Sequence, residues 1–219
     1  DHLPLYRQEK QLQRIGVDIA RATLSLWVIR CAELLRPLVK LMQNNIINYD
    51  IAYADETRLQ VLKEPNRRAD LKSFMWVFAG GPPDRFSFIY HYNISRAHDV
   101  PLEFFGGFKG YLHCDGFQAY DLMASKTDIT LAGCWYHSRR KFKEAEAISK
   151  RSGLAKHAVK QIQRLSVIEK HVKTLNPIKA KLYRLEHAKP ILDEFKKRLT
   201  SNKSKAPPKS LIGKAISYT

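Results

Sequence analysis

The sequence contains little cysteine and no long apolar run. Its three cysteines, Cys31, Cys114 and Cys134, are an odd number and lack CxxC spacing, so neither a disulfide framework nor a zinc ribbon is indicated. No apolar stretch is long enough to cross a bilayer, and the chain does not open with a signal-peptide pattern. With 219 residues and 44% hydrophobic content, the chain can bury a core. We therefore expect a soluble cytoplasmic protein with reduced thiols.

Acidic residues are scarce in the last third of the sequence. The chain carries a formal net charge of +17. Residues 1–137 contain 16 Lys and Arg against 15 Asp and Glu, whereas residues 138–219 contain 22 against 6. Such asymmetry indicates binding to a polyanion, with nucleic acid favoured over an anionic membrane surface. The alternative is that these lysines and arginines only solvate exposed helix faces.

Hydrophobic periodicity predicts an α/β protein in three segments. Residues 1–48 have helical spacing around a glycine turn and fit either a helix-turn-helix or a plain helical hairpin. Residues 49–137 predict a sheet whose first three strands are antiparallel neighbours, and residues 138–219 predict basic helices with a linker at 201–210. The predicted strands are Ile51–Asp55, Phe74–Ala79, Arg85–Tyr92, Gly110–Asp115 and Ile129–Trp135, with helices at Ser95–Phe105 and Phe117–Ala124.

Two aspartates end predicted strands. Asp55 closes the first strand and Asp115 closes the fourth. If these strands are neighbours in one sheet, both carboxylates emerge at the same edge, where they could hold Mg²⁺ or Mn²⁺. Two such ions, about 3.5–4 Å apart, would stabilise the attacking and leaving oxygens at a phosphodiester. Helix N-caps and turn aspartates are the alternative explanation for both residues.

Three short segments surround the predicted strand ends: ADET at 54–57, CDGFQAY at 114–120 and CWYHSRRKF at 134–142. In this order and spacing they resemble the DDE transposases of bacterial insertion sequences, and most closely the insertion-sequence-sixty-six family. Residues 1–9 and 16–28 resemble the segment before the catalytic domain of that family. Residues 208–219 resemble the helix that leads toward its last catalytic segment, so the resemblance covers nearly the whole chain.

The resemblance implies an RNase H-like five-stranded mixed sheet with flanking helices, preceded by a helical segment and followed by a basic helical insertion. It implies that Asp55 and Asp115 are the first two catalytic acids and bind Mg²⁺ or Mn²⁺. The third acid of the family, a glutamate in an Asn-rich segment, has no counterpart here, since Glu169, Glu186 and Glu194 lack that context. The implied activity is metal-dependent DNA strand cleavage and strand transfer, which we expect this middle portion of a transposase not to complete alone.

The basic residues after the fifth predicted strand are the candidate DNA contacts: His137, Arg139, Arg140, Lys141 and Lys143. They follow the sheet near where a phosphate backbone would approach metal-bound carboxylates, and such contacts position DNA without reading its sequence. The implied partners are the ends of the mobile element and target DNA, in the nucleoid of a bacterial cytoplasm. A homo-oligomer stays open, and neither a membrane nor a small-molecule substrate is expected. An RNase H-like nuclease or resolvase and a non-catalytic DNA-binding remnant of a mobile element are the rival functions.

For five residues near these segments we expect roles other than catalysis or metal binding. Glu56 should be solvated or capping, with support of the neighbouring aspartate as the alternative. His113 should be packed or at the surface, and Trp135 should belong to the core rather than stack on a base. Cys134 and His137 have ligand-like spacing, but no second pair accompanies them, so zinc is not expected.

Overall fold

The structure, a computed structural model, describes residues 3–148 and 153–219. Its contacts divide the chain into two compact units. Unit 1 comprises Asp1–Leu112 and Leu122–Thr130, and unit 2 comprises His113–Asp121 and Leu131–Thr219. Across the described ranges, no helix is both long and apolar enough to cross a membrane.

The helices are α1 (Leu5–Arg14), α2 (Arg21–Ile47), α3 (Asp99–Phe104), α4 (Gln118–Ala124), α5 (Trp135–Ala147), α6 (Leu154–Val172), α7 (Pro177–Tyr183), which runs through a π-helical turn (Arg184–Ala188) into α8 (Lys189–Lys203), and α9 (Leu211–Tyr218). The strands are β1 (Ile51–Gln60), β2 (Lys72–Gly80), β3 (Ser87–Asn93), β4 (Gly110–Cys114) and β5 (Ile129–Gly133).

The five strands form one mixed sheet in the order β3-β2-β1-β4-β5. β1 pairs antiparallel with β2, and β2 pairs antiparallel with β3. The chain reverses after β2 at Gly81, whose φ of +101° is open to glycine but strained for other residues. The predicted five-stranded mixed sheet with flanking helices is therefore confirmed, together with the antiparallel arrangement of its first three strands.

Element boundaries differ from the prediction at several places, most clearly at the end of β1, at β5 and at α3. The fifth strand ends at Gly133, and Trp135 begins α5 instead of closing the strand. Glycine adds no side chain to pack on a sheet, which favours the strand end at this point. The helix expected from Ser95 begins only at Asp99, and Ser95 does not cap it, because its Oγ accepts a hydrogen bond from the N–H of Ala97 at 3.0 Å.

α2, a helix of 27 residues, is fixed to the rest of unit 1 by its last turns. Ile46 is completely buried, and a Cβ at Gly80 would lie 3.1 Å from its Cγ2. The side chain of Gln43 donates a hydrogen bond to the carbonyl of Phe104 at 2.8 Å. α1 and α2 are separated by a turn at Gly16, whose φ is +82°. The helix-turn-helix role of this pair stays a prediction.

The core of unit 1 places small side chains of β1 opposite large side chains of β2. Ala54 lies directly opposite Phe78 in the register, and both are buried. Directly opposed residues share a face of the sheet, so the alanine leaves room for the aromatic ring. Phe78 stacks on Phe104 at a centroid distance of 3.9 Å and meets Phe105 edge-on at 5.3 Å. This aromatic cluster joins the sheet to α3.

Unit 2 contains its own helical core. Phe142 of α5, Ile162 of α6 and Phe195 of α8 are all buried in one cluster, together with Ala215 of α9. Ser210 caps α9, since its Oγ accepts a hydrogen bond from the N–H of Gly213 at 3.1 Å. Because these helices bury one apolar stripe each, most of their basic residues lie on the outward surface.

Candidate functional site

Asp55 lies in the middle of β1, so the prediction that it ends a strand is wrong. Residues 56–60 continue the strand because they pair with β2 as far as Lys72. Side chains of β1 alternate between the two faces of the sheet: Tyr53 and Asp55 are exposed, whereas Ala52 and Ala54 are buried. The N–H of Glu56 donates a hydrogen bond to Oδ1 of Asp55 at 3.0 Å. Strand pairing therefore fixes the backbone on both sides of an exposed carboxylate.

Glu56 is neither solvated nor a cap, contrary to the expectation from the sequence. Its side chain is 1% exposed. Nε of Arg96 donates a hydrogen bond to its Oε1 at 2.7 Å, and Nη2 of the same guanidinium also contacts this oxygen. A buried carboxylate is costly unless it is paired and hydrogen-bonded, and Arg96 meets that requirement. The pair stiffens the strand position next to Asp55.

Asp115 lies one residue beyond β4 and is not, as the sequence predicts, the last residue of the strand. The strand ends at Cys114, which is 2% exposed. Oδ1 of Asp115 accepts a hydrogen bond from the N–H of Phe117 at 2.9 Å, which forms an Asx-type turn. Asp115 itself is half-buried. The carboxylate therefore has a fixed direction, although it lies outside regular secondary structure.

The last residues of α9 lie against the turn that follows Asp115. The N–H of Gly116 donates a hydrogen bond to the hydroxyl of Tyr218 at 3.0 Å, and a Cβ at Gly116 would lie 2.7 Å from Cε2 of that ring. Nζ of Lys141 lies 4.9 Å from the ring centroid. Burial raises the pKa of Tyr218; the nearby Asp115 charge also raises it, and the Gly116 hydrogen bond opposes this shift. Sequence spacing gave no sign of this contact.

α5 carries the predicted DNA contacts on more than one face. Arg140 and Lys143 are exposed and lie three positions apart, so they share a side of the helix. Arg139 and Lys141 are half-buried. Nζ of Lys143 lies 3.2 Å from the carboxylate of Glu146, at the surface. Arg140 and Lys143 are thus the members of the set best placed to meet a phosphate backbone from solvent.

Two histidines lie near each other in unit 2. Burial lowers the pKa of His113, and the charge of His137 lowers it further. Nδ1 of His137 is buried and finds no hydrogen-bond partner among the residues that the structure describes. Throughout residues 3–148 and 153–219, no group of three or more His, Cys, Asp or Glu side chains is arranged to hold a metal ion.

The two aspartates nevertheless have the right donor chemistry for Mg²⁺ or Mn²⁺. Both metals prefer carboxylate oxygens, and Mg²⁺ is commonly bound by one or two carboxylates while water and substrate phosphates fill its other positions. Asp55 and Asp115 each use Oδ1 to accept a main-chain N–H, which orients the carboxylate before any ligand binds. Each carboxylate, taken by itself, therefore has the donor chemistry and the orientation that suit this kind of ion.

A family model described as "Transposase IS66 family" matches residues 1–219. Three uncharacterized proteins of Sinorhizobium fredii (strain NBRC 101917 / NGR234) are similar to the chain. Protein y4qI is 34% identical over 157 residues, which cover 65% of this chain and 28% of that protein. Protein y4jD is 29% identical over 231 residues, which cover 100% of this chain and 44% of that protein. Protein y4hP is 27% identical over 240 residues, which cover 99% of this chain and 42% of that protein. The chain spans less than half the length of these relatives.

Among solved structures, a chain of the cryo-EM structure of the simian T-cell lymphotropic virus intasome in complex with PP2A regulatory subunit B56 gamma is similar to this protein. The match has a TM-score of 0.30 and 9% identity, and it covers 54% of this chain and 48% of that chain. The family model, in contrast, spans every residue of the sequence, including the segments around both aspartates. The chain belongs to the IS66 family of transposases.

Proposed function

We propose that this chain supplies part of a catalytic centre that cuts and joins DNA strands, with Asp55 and Asp115 as its metal ligands. One observation carries the proposal. β1, which bears Asp55, lies beside β4 in the sheet, and β4 leads directly into Asp115. Membership of a transposase family supports the reaction class. The proposed reaction is hydrolysis at the end of a mobile element, followed by attack of the freed 3′-hydroxyl on target DNA.

The residues of the chain would hold charge and direction at this centre. Bound Mg²⁺ or Mn²⁺ supplies Lewis-acid stabilisation of phosphodiester oxygens. Asp55 and Asp115 provide the negative charge that retains the cation, and their hydrogen bonds to main-chain N–H groups limit carboxylate rotation. Such preorganisation removes part of the reorganisation cost of the reaction.

DNA is the proposed partner of the basic last third of the chain. Residues 138–219 contain 22 Lys and Arg against 6 Asp and Glu, and neutralising phosphates with such side chains releases counterions. Arg140 and Lys143 on the exposed side of α5 are the first contacts we propose, followed by Arg139, Lys141 and His137. The affinity for duplex DNA should therefore fall steeply as the salt concentration rises.

Metal binding by the purified chain tests the ligand assignment directly. We expect titration calorimetry to detect Mn²⁺ binding, and we expect Asp55→Asn and Asp115→Asn each to weaken it by at least about tenfold. Asp84→Asn is the matched control, because Asp84 is an exposed aspartate whose ion-pair partner is the adjacent Arg85. Binding that survives both Asn substitutions would rule out this pair as the metal site.

Cleavage assays test the reaction class. We expect the 219-residue chain to bind DNA without cutting it, because none of its glutamates matches the third acid that the resemblance implies. Metal-dependent nicking that Asp55→Asn abolishes would show that a third ligand lies within this sequence. Cutting without any joined product would favour an RNase H-like nuclease or resolvase over a transposase.

A further inference from the structure

Trp135, the first residue of α5, is not the core residue that the sequence predicts. Its side chain is 39% exposed. Its ring centroid lies 6.1 Å from that of Phe195, and the two ring planes are inclined by 34°. Phe195 is 2% exposed, so it supports the indole from within the core of unit 2. The remaining surface of this supported indole is open to a ligand.

The indole of Trp135 lines three cavities of unit 2. The first has a volume of about 510 Å³ and the second about 450 Å³, and Leu192 lines both. These volumes suit a ligand of small-molecule size. The third, of about 260 Å³, is lined by Tyr218. The hydroxyl of Tyr218 accepts a hydrogen bond from the N–H of Gly116, the residue after Asp115. Apolar side chains form most of the floor of the first two cavities: Leu165, Leu185, Ala188, Leu199 and Ile216.

Basic side chains surround this apolar floor. Five of them line the first two cavities: Lys181, Arg184, Lys189, Lys196 and Lys203. Arg184 is paired with Glu169 at 2.7 Å, and Lys189 is paired with Asp193 at 2.6 Å. For the other three lysines, the described part of the chain places no carboxylate oxygen within 4.0 Å. The rim of the groove therefore keeps an uncompensated positive charge.

We propose that this groove, formed by Trp135 and the first two cavities, binds unpaired nucleotides of a DNA strand. A base would stack on the indole, and the neighbouring phosphates would contact Lys181, Lys196 and Lys203. Stacking on an aromatic side chain within a positively charged groove is the general way in which proteins hold single strands. The inference rests on the proposed DNA-binding function and adds a specific site to it.

Charge and shape both favour an unpaired strand over other occupants. In an intact duplex the base faces are already stacked, so they cannot cover the indole without being exposed first. An apolar peptide would cover the floor but would leave the lysine charges uncompensated. The third cavity adds a direction, since it connects the indole of Trp135 with Tyr218 beside the Asp115 turn. A strand that ends near Asp115 could therefore continue across Trp135.

Fluorescence and DNA binding test the groove in the 219-residue chain. In a Trp27→Phe background, quenching reports Trp135, because Trp76 is completely buried. We expect an oligothymidylate of about ten nucleotides to quench this emission, and a single-stranded tail to tighten duplex binding by roughly tenfold. Trp135→Ala should abolish most of the gain from the tail, whereas Trp135→Phe should keep the larger part of it. Affinity for blunt duplex should stay unchanged in both variants.

The matched control is Tyr136→Ala, since Tyr136 is the next aromatic residue on α5, is 68% exposed and lines none of the three cavities. Lys196→Gln and Lys203→Gln provide variants at exposed positions in case Trp135→Ala disturbs folding, and each should also reduce the gain from the tail. The inference is overturned if the tail adds no affinity, if Tyr136→Ala removes as much as Trp135→Ala, or if an acidic apolar peptide quenches Trp135 and the oligonucleotide does not. Failure to bind blunt duplex as well would instead overturn the proposed DNA-binding function.

Discussion

Replacing Arg96 by methionine should destabilise unit 1 through the carboxylate it leaves behind. Glu56 is 1% exposed and accepts a hydrogen bond from Nε of Arg96 at 2.7 Å. In the β1–β2 register, Glu56 lies opposite Trp76, whose indole N–H donates to the carbonyl of Ser95 at 3.3 Å. Methionine keeps the apolar stem of the arginine but removes the charge. In the variant, the buried carboxylate of Glu56 therefore loses its Arg96 counter-ion at a position next to the buried indole of Trp76.

The expected loss follows from the burial of the two partners. Removing one partner from a buried ion pair costs about 3–5 kcal/mol. Arg96 is 35% exposed, so solvent screens part of the interaction and the cost is smaller. We expect Arg96→Met to lower the free energy of unfolding of unit 1 by about 2 kcal/mol. With a urea m value of about 2 kcal/mol per M, the unfolding midpoint falls by roughly 1 M.

Trp76 provides a reporter for this measurement, since its side chain is completely buried in unit 1. Trp27 and Trp135 are 49% and 39% exposed, so both are replaced by phenylalanine in the background protein. Urea unfolding followed by the emission of Trp76 then reports the environment of the Glu56 pair. It does not depend on unit 2 unfolding in the same transition.

Arg85→Met is the matched control. Arg85 is 73% exposed and lies 3.5 Å from the carboxylate of Asp84, which is 75% exposed, and such surface pairs contribute about 0–1 kcal/mol. Adding Glu56→Gln to Arg96→Met should recover part of the loss, because the buried charge is then gone. Equal losses in the Arg96 and Arg85 variants, or no recovery with Glu56→Gln, would refute the reasoning.

Three further predictions concern unit 2. The phenol of Tyr218 should ionise above the ordinary pKa of 10.0 because of its burial, and the difference in pH titration between wild type and Tyr218→Phe isolates it. Asp115→Asn should lower this pKa. The stability that the buried neutral phenol contributes should be complete below pH 10 and should decline as the pH rises further. Gly116→Ala should displace the Tyr218 ring, since the new Cβ would lie 2.7 Å from Cε2, at a cost of about 1 kcal/mol for the weakened hydrogen bond; an unchanged Tyr218 titration would contradict this. Arg140→Gln and Lys143→Gln should each reduce the slope of log affinity against log salt by about 1 for duplex DNA, and unchanged slopes would exclude phosphate contacts at these residues.

The strands could be predicted because their signals are local. β2 and β3 are aromatic-rich runs separated by glycine and proline, and β1 alternates exposed and buried side chains. The end of β1 could not be predicted in the same way. The polar residues Asp55, Glu56 and Thr57 are typical of the end of a strand, but pairing with β2 extends β1 to Gln60, opposite Lys72. Cross-strand hydrogen bonds thus override local preference at this end of the sheet.

The candidate site, like the sheet, could be predicted only where the sequence signal is local. Asp55 and Asp115 could be found because each belongs to a short segment with its own pattern. Their supporting contacts could not, because Arg96 is 40 residues from Glu56 and Tyr218 is 102 residues from Gly116. A lone Glu or Tyr in a sequence carries no sign of such a partner. The exposure of Trp135 could not be predicted either, since an aromatic residue at the end of a predicted strand is typical of a core position.

The two acids are held by different means, and this difference has a consequence for any reaction at the site. Asp55 lies within a paired strand, and its neighbour Glu56 is fixed by a buried ion pair, so its position depends on the sheet. Asp115 lies in a turn in which the N–H of Gly116 donates a hydrogen bond to the hydroxyl of Tyr218 in α9, and Nζ of Lys141 in α5 lies 4.9 Å from the centroid of that ring. Movement of α5 or α9 on binding DNA would therefore reach Asp115 through this ring. Asp55 has no comparable link to a basic helix among the described contacts of unit 1, so under the proposed DNA binding we expect Asp115, rather than Asp55, to change position.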